Sequence, residues 1–213
     1  MRITILGGTG YAGSAIVREA ASRGHEVTSL SRSAADAPVP GVRYHLGSVL
    51  EEEVRAAAID GAEVVISAIS PRGPLAGRTR EVLARTADAV AASGQRLGVI
   101  GGAGSLRVVE GGPRLVEDPG FPAAFREEAL EMGGVLEDLG ARGDELAWFF
   151  VSPAAGFGAH SPGEARGTFR IGGDVLLVDD AGVSALSAPD LASAVLDEVE
   201  APAHTGARFT VAY

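Results

Sequence analysis

The apolar stretch Ile3-Thr4-Ile5-Leu6 runs directly into Gly7-Gly8-Thr9-Gly10-Tyr11-Ala12-Gly13 at the start of the chain. This order predicts a buried strand, a glycine-rich loop and an amphipathic helix over about Ala12–Arg23. Glycines at these spacings let the chain turn sharply, bring its backbone close to phosphate oxygens and pack the helix tightly on the strand. The amino end of the helix then offers unpaired N–H groups to an anion. The segment therefore predicts a dinucleotide pyrophosphate site; the alternative is a glycine-rich turn without a ligand.

Strand-like and helix-like segments alternate along the rest of the chain, as a doubly wound parallel sheet requires. The predicted strands are Glu26–Leu30, Val42–His45, Val64–Ser67, Arg96–Ile100, Leu146–Val151 and Arg208–Ala212. The predicted helices are Glu51–Ile59, Leu75–Ala92, Ala123–Leu139 and a segment from Ser187 to about Val199. Shorter strands are predicted at Leu106–Val109 and Arg114–Val116, paired as a hairpin, and at Thr168–Ile171 and Val175–Val178. The pattern predicts an α/β protein with a Rossmann-type sheet.

The domain organisation follows from the length and from the spacing of these elements. A chain of 213 residues with 46% apolar residues fits one α/β domain. We therefore expect a single NAD(P)-binding domain over residues 1–213, with a small C-terminal substrate-side region. Two loop-rich segments, near residues 101–122 and 152–188, are expected on the substrate side, because long loops in compact domains usually bind ligands.

Composition and charge narrow the class of partner. The net charge of −10 argues against nucleic acid or an anionic membrane, since both require a basic surface. No apolar run approaches the roughly 18–20 residues that span a bilayer, and the first residues lack the pattern of a signal peptide. The chain has no cysteine, and no spacing of side chains suggests a metal site. We expect a cytoplasmic protein, monomeric or homodimeric, whose partner is a small-molecule acceptor.

The chain contains no lysine, and its only tyrosines are Tyr11, Tyr44 and Tyr213. The Tyr-x-x-x-Lys pair of ordinary short-chain dehydrogenases is therefore impossible. In that pair the lysine lowers the pKa of the tyrosine, so that the phenol can exchange a proton with the substrate. Any redox chemistry of this chain must use another proton donor, or none.

The residue after the second strand distinguishes between NAD and NADP. A carboxylate there binds the ribose 2′-hydroxyl, whereas an arginine accommodates a 2′-phosphate. This chain has Ser31-Arg32-Ser33, and no carboxylate occurs before Asp36. The planar guanidinium of Arg32, with a hydroxyl on either side, matches a phosphate group. We predict that the chain prefers NADP(H) over NAD(H); the alternative for Arg32 is a solvated surface side chain.

The loops at the carboxyl ends of the other strands are expected to meet at the same site, as in other open α/β sheets. The further cofactor-binding residues predicted from these loops are Ser67, Ala68, Ile69, Gly101, Gly102, Ala103, Ser152 and Pro153. Small residues permit close approach of the backbone to the cofactor, although they are equally compatible with a plain strand end. Arg72, Arg78 and Arg80 follow the fourth strand and are candidates for contact with an anion or for solvated helix-face residues.

Three segments and the end of the chain resemble one family. They are the opening Gly-Gly-Thr-Gly-Tyr-Ala-Gly, the Gly101-Gly102-Ala103-Gly104-Ser105 stretch, and Ser152-Pro153-Ala154-Ala155, together with the closing Arg-Phe-Thr-Val. The chain resembles the atypical short-chain dehydrogenase/reductase proteins of the NAD(P)H-binding group, related to NmrA-like proteins and to flavin and biliverdin-IXβ reductases. The resemblance implies a Rossmann fold, NADPH binding and reduction of flavins, quinones or similar flat acceptors.

The same resemblance points to two candidate catalytic residues. In the flavin/biliverdin reductases a serine after the fifth strand and a histidine after the sixth lie near the substrate. Ser105 matches the serine by motif, and His160 is a looser match in a glycine-rich loop. Where related sequences often carry a tyrosine, this chain has Phe125, which removes a hydroxyl. Ser105 could instead cap a turn, and His160 could be a solvent-exposed loop residue.

Three functions remain open at this stage. The first is an NADPH-dependent reductase of a flat acceptor such as a flavin or quinone, because hydride transfer between flat rings requires mainly proximity and orientation. The second is a non-catalytic, NmrA-like protein that senses NADP(H). The third is a nucleotide-dependent epimerase or dehydratase, which the missing tyrosine–lysine pair makes less suitable, since that chemistry requires an efficient base.

Overall fold

The computed structural model describes residues 1–213, the whole chain, as alternating strands and helices. The strands are β1 (Arg2–Leu6), β2 (Glu26–Ser31), β3 (Arg43–Leu46), β4 (Val64–Ser67), β5 (Arg96–Ile100), β6 (Ala147–Pro153), β7 (Arg170–Gly172) and β8 (Ala207–Ala212). The helices are α1 (Tyr11–Ser22), α2 (Glu52–Ile59), α3 (Thr79–Ala92), α4 (Ala123–Gly140) and α5 (Ala188–Glu200). None of the helices combines the length and the apolar character that crossing a bilayer requires.

The strands form one eight-stranded sheet in the order β3-β2-β1-β4-β5-β6-β8-β7. Every pair is parallel except β7 with β8, which is antiparallel. The order reverses direction between β1 and β4, and ligands of such sheets bind beside the carboxyl ends of the strands at this point. The predicted Rossmann-type α/β fold is confirmed.

Each face of the sheet is covered by helices, which explains why the central strands are apolar without alternation. One core cluster joins α1 and α5 to side chains such as Ile5, Ile66 and Phe209. The other joins α2, α3 and α4 to side chains such as Val65 and Phe150 on the opposite face. The sheet is thereby a rigid support on which the loops at its carboxyl edge are held.

Several predicted boundaries were wrong, each for a local reason. The third helix begins at Thr79 rather than Leu75, because Gly77 has a φ of +72° and interrupts the helical path. Strand β6 continues through Pro153, where it still pairs with β8. The predicted hairpin near residue 111 is reduced to a single bridge between Arg107 and Arg114. The predicted strand at residues 175–178 forms one parallel bridge to Arg107 instead of a full strand.

Candidate functional site

The glycine loop between β1 and α1 depends on residues without a side chain. Gly7 adopts a φ of +85°, a conformation that side chains disfavour. A Cβ atom at Gly13 would overlap the carbonyl oxygen of Gly7, and one at Gly8 would overlap the hydroxyl of Ser29. The loop and the first turn of α1 therefore pack closer together than any other residue type would allow, as the sequence pattern predicts.

The amino end of α1 is open, in contrast to the amino end of α3. Gly10 occupies the N-cap position of α1 without a side-chain cap, and the first turn of α1 has no acidic residue. At α3, the Glu131 carboxylate accepts hydrogen bonds from the backbone amides of Gly77, Thr79 and Arg80 at 2.8, 2.6 and 3.2 Å. The first N–H groups of a helix lack intrahelical partners. Those of α1 are thus free of side-chain partners, in contrast to those of α3.

A cavity of about 290 Å³ lies beside the glycine loop, at the carboxyl ends of β1, β2 and β4. Eight of the predicted cofactor residues line it: Gly7, Thr9, Gly10, Ser31, Arg32, Ser33, Ala68 and Ile69. Arg72, which the sequence analysis considered for contact with an anion, lines it too. The cavity extends from the open end of α1 to the loop after β2, the arrangement that a dinucleotide requires.

The end of β2 presents a free cation to this cavity. The Ser31 hydroxyl accepts a hydrogen bond from the backbone amide of Thr9 at 3.0 Å, which joins β2 to the glycine loop. Arg32 is exposed and has neither an ion pair nor a side-chain hydrogen bond in the structure. Asp36, the nearest following carboxylate, lines a neighbouring cavity of about 140 Å³ together with Gly8 and Arg18. A ligand phosphate at Arg32 would therefore face no competing carboxylate of the protein within the larger cavity.

The remaining predicted cofactor residues lie around the cavity rather than in its wall. Ser67 and Ser152 are fully buried at the ends of β4 and β6, and neither hydroxyl has a hydrogen-bond partner. Pro153 is buried at the end of β6, and a Cβ atom at Gly101 would overlap the Phe150 ring. Tyr11, Ala12 and Gly13 form the first turn of α1, and Gly102 and Ala103 open the turn after β5. Their contact with a cofactor stays a prediction.

Sequence reasoning missed one wall of the cavity, the loop between β3 and α2. Gly47, Ser48, Val49 and Leu50 line it, and the buried Arg55 holds this loop by donating to the carbonyl of Val49 at 2.7 Å. The loop carries no glycine motif and no unusual charge. The signal that could have identified it is the strand order, because β3 follows β2 at the same edge of the sheet.

Arg72, Phe125 and His160 form a cluster beside the cavity, which we call the aromatic cluster. The His160 ring stacks on the Phe125 ring with centroids 5.8 Å apart and planes at 27°. The Arg72 guanidinium lies 5.8 Å from the centre of the same Phe125 ring and donates to Glu128 at 2.7 Å. Phe125 is 38% exposed, so part of its side chain remains accessible near the cavity that Arg72 lines.

Ser105 and His160, the two predicted catalytic residues, do not form a pair. Ser105 lies beneath Gly133 of α4, whereas His160 contacts Phe125 at the start of that helix. Eight residues of helix separate these contacts, about 12 Å along the axis. No proton relay connects the two side chains. The structure therefore gives each of them a separate environment.

The hydroxyl of Ser105 has a cationic partner that sequence reasoning missed. Arg208 donates to the Ser105 oxygen at 2.9 Å, and its Nε donates to Asp174 at 2.9 Å. Because a guanidinium can only donate, the serine proton must point elsewhere, and no protein acceptor takes it. Ser105 is thus a hydrogen-bond donor polarised by a fixed positive charge.

The tyrosine hydroxyls form hydrogen bonds that hold loops in place. Burial raises the pKa of Tyr11 and of Tyr213, and a hydrogen bond to Asp190 raises the pKa of Tyr213 further. Tyr11 donates to the carbonyl of Pro162 at 2.8 Å, and Tyr44 accepts from the amide of Val39 at 3.1 Å. The raised pKa values of Tyr11 and Tyr213 favour their protonated forms, so these two side chains hold loops but are poor proton donors.

Comparisons with known proteins agree with this geometry. A family model described as NAD(P)H-binding matches residues 7–202. The "Uncharacterized protein YwnB" of Bacillus subtilis (strain 168) is 36% identical over 219 aligned residues, covering 99% of this chain and 98% of that protein. A crystal structure of a "putative NADH-flavin reductase" from Streptococcus pneumoniae TIGR4 is 30% identical with a TM-score of 0.83, covering 100% of this chain and 99% of that one. One of a "putative epimerase" from Bacteroides thetaiotaomicron is 32% identical with a TM-score of 0.88, covering 100% and 96%.

Proposed function

The chain belongs to the NAD(P)H-binding family, and from this premise we propose that it is an NADPH-dependent oxidoreductase that reduces a flat acceptor such as a flavin or a quinone. When bound, the reduced nicotinamide supplies the hydride. The protein's own residues bind the two partners, orient them and stabilise the charge that develops on the acceptor.

The cofactor assignment rests on the wall of the larger cavity. The open amino end of α1 fits a pyrophosphate, because its amides and the helix dipole favour an anion. Arg32, between Ser31 and Ser33, fits the 2′-phosphate that distinguishes NADP(H) from NAD(H). The missed loop of Ser48 and Val49 completes the wall on the β3 side. NADP(H) is therefore the proposed cofactor.

The single observation that carries the acceptor assignment is the aromatic cluster beside the cavity. The partly exposed Phe125 ring, backed by His160 and Arg72, offers a flat, polarisable surface to a flat ring. Hydride transfer to such a ring depends mainly on proximity and orientation, which stacking provides. Ser105 can donate to an acceptor oxygen that gains negative charge, while the balancing proton comes from solvent or from His160.

The relatives' names differ on the reaction, since one is called a reductase and one an epimerase. Epimerisation of a sugar requires a base that abstracts a proton from carbon or a hydroxyl. The chain has no lysine, and Tyr11 and Tyr213 have raised pKa values and are engaged in structural hydrogen bonds. These facts favour the reductase.

A sensor of NADP(H) without turnover is the second candidate. The separation of Ser105 from His160 favours it, because the two predicted catalytic side chains form no relay. In that case the aromatic cluster would contact a partner protein. We further propose that the protein acts in the cytoplasm as a monomer or homodimer, which cell fractionation and light scattering would test.

The decisive experiment measures NADPH oxidation with FMN, FAD, riboflavin and simple quinones, beside direct titration of NADPH binding. We expect turnover with at least one acceptor, and Phe125→Ala should raise the acceptor KM about tenfold, since a buried ring contact contributes on the order of 1 kcal/mol or more. Leu130→Ala, an exposed apolar residue on the same helix, is the matched control and should leave KM unchanged. Tight NADPH binding without turnover on any acceptor would refute the reductase and favour the sensor.

A further inference from the structure

The segment that follows β6, residues 154–163, extends from the glycine loop to α4. We call it the roof segment. Within it, His160 stacks on Phe125 of α4 at 5.8 Å. At the other side, the Phe157 ring lies 5.2 Å from the Tyr11 ring, and the Tyr11 hydroxyl donates to the carbonyl of Pro162 at 2.8 Å. The roof segment therefore contacts both Tyr11, at the end of the glycine loop, and Phe125 of the aromatic cluster.

The base of the roof segment is fixed by contacts that do not involve Tyr11. The amide of Ala155 donates to the Ser184 hydroxyl at 3.0 Å, and the amide of Gly156 donates to the Ser184 carbonyl at 2.9 Å. Farther along, the buried Asp190 accepts from the amides of Arg166 and Gly167 at 2.8 and 3.0 Å. Between these two anchors, Tyr11 makes the one side-chain hydrogen bond to the roof segment itself, and the Tyr213 hydroxyl lies 2.9 Å from the carbonyl oxygen of Glu164 just after that segment.

The turn that carries His160 transmits the position of Pro162 to the imidazole. The amide of Ser161 donates to the Gly158 carbonyl at 3.0 Å, which closes a tight turn over residues 158–161. The His160 ring packs over Gly158, since a Cβ atom there would lie 2.6 Å from its Cε1 atom. Moving Pro162 would therefore move the turn and withdraw His160 from Phe125.

We infer that Tyr11 is a positioning residue for the acceptor: its hydroxyl holds the roof segment so that His160 and Phe125 form one acceptor-binding surface. This inference rests on the proposed function, because it assigns the aromatic cluster to the acceptor. Tyr11 acts through Pro162 and touches no acceptor itself.

Tyr11 therefore contributes to two sites, to one with its backbone and to the other with its side chain. The backbone of Tyr11 belongs to the open amino end of α1, whereas its side chain reaches the roof segment. Replacing the ring hydroxyl alone leaves the backbone in place. Acceptor binding should therefore depend on this hydroxyl much more than cofactor binding does.

The test is Tyr11→Phe, which removes the hydroxyl and keeps the ring contact with Phe157. We expect the KM for FMN to rise about fivefold, the effect of one lost hydrogen bond, while kcat and the NADPH Kd change less than about twofold. The matched control is Tyr44→Phe, which loses a hydroxyl that also holds a loop, by accepting from Val39, but that forms no hydrogen bond with the roof segment. It should leave the KM for FMN unchanged.

A second readout is independent of turnover. Hydrogen exchange of the amides in residues 157–163 should be faster in Tyr11→Phe than in the wild type, with no change in the melting temperature. Wild-type turnover with an unchanged KM in Tyr11→Phe would overturn the inference and leave the proposed function intact. A rise in the NADPH Kd equal to the rise in KM would also overturn it, since it would indicate general disturbance of the glycine loop. A wild type that reduces neither FMN nor any other acceptor would remove the proposed function, and with it this role of Tyr11.

Discussion

The two edges of the same sheet differ in how their charged groups are partnered. At the amino edge, Glu198 of α5 accepts from Arg96 and from the ring and amide of His204. Nearby, Glu200 pairs with both Arg23 and His25 at 2.8 and 2.9 Å. Charges at this edge are neutralised within the protein.

At the carboxyl edge, one arginine and two buried hydroxyls have no partner in the protein. Arg32 has no ion pair, and the buried hydroxyls of Ser67 and Ser152 have no hydrogen bond. The amino end of α1 lacks a side-chain cap. Unpaired buried polar groups reduce stability, but they do not distinguish the two edges, because Gln95 and Arg96 at the amino edge each leave one buried polar atom without a partner. The charges do distinguish them: the amino edge pairs its arginines with carboxylates, whereas Arg32 at the carboxyl edge has no counter-charge in the protein.

The largest expected effect tests the amino edge. Glu198→Ala removes a buried carboxylate and leaves the Arg96 guanidinium, itself largely buried, without its counter-charge. We expect the free energy of unfolding to fall by about 3–5 kcal/mol, the usual result of breaking a buried ion pair. Chemical denaturation would measure it.

The matched control is Glu63→Ala at the same edge, where the ion pair with Arg2 is exposed. Exposed pairs contribute about 0–1 kcal/mol. If both substitutions cost the same, the buried pairing at the amino edge would contribute no more than the exposed one, and the comparison would fail.

The second prediction tests the carboxyl edge. Arg32→Ala should weaken NADPH binding by about 1.5–3 kcal/mol, the contribution of charge-assisted hydrogen bonds to a phosphate, and leave NADH binding and the melting temperature unchanged. Titration with each cofactor measures this. Arg43→Ala, an exposed arginine beside β2 whose partner is Glu26, is the control. An equal loss of NADPH and NADH affinity would refute the role of Arg32 in distinguishing the two.

The smallest expected effect is a loss of folding stability at acidic pH. Burial alone would raise the pKa of Glu198, but hydrogen bonds from His204, from Arg96 and from the backbone outweigh it and hold the pKa below its usual value. A carboxyl whose pKa is lower in the folded state stabilises the fold above its unfolded pKa, about 4.3, and this stabilisation is lost as pH falls through the folded pKa. We expect unfolding curves of the wild type to lose stability over this acidic range more steeply than those of Glu198→Gln. Parallel curves would contradict it.

The parts of the molecule that sequence predicted well depend on local rules. The glycine loop could be predicted because the backbone near Gly7 and Gly13 leaves no room for a side chain, and this constraint acts between residues close in sequence. The position of Arg32 in the cavity wall was predictable because it follows the end of β2; its role in cofactor binding stays a prediction. The central strands were readable because burial on both faces makes them continuously apolar.

The parts that sequence missed depend on contacts between distant residues. The hydrogen bond from Tyr11 to Pro162 joins residues 151 positions apart, and no sequence pattern in either segment predicts it. The pairing of Arg208 with Ser105 is equally remote. The extension of β6 to Pro153 depends on its partner strand β8, since proline alone suggests a strand end. Tertiary packing decides such details, and local propensity does not.

The hydrogen bonds at the base of the roof segment determine where the length of this chain can change. Gly156 and Arg166 are each fixed by a hydrogen bond, to Ser184 and to Asp190 respectively, so the chain between Gly156 and Arg166 is a loop with fixed ends. For a flexible loop with fixed ends, doubling its length adds only about 0.6 kcal/mol of closure entropy. Insertions or deletions between these two residues would thus be tolerated while the glycine loop and the amino edge stay unchanged. Lineages descended from such a chain could exchange one acceptor for another by changing loop length, with the cofactor retained throughout.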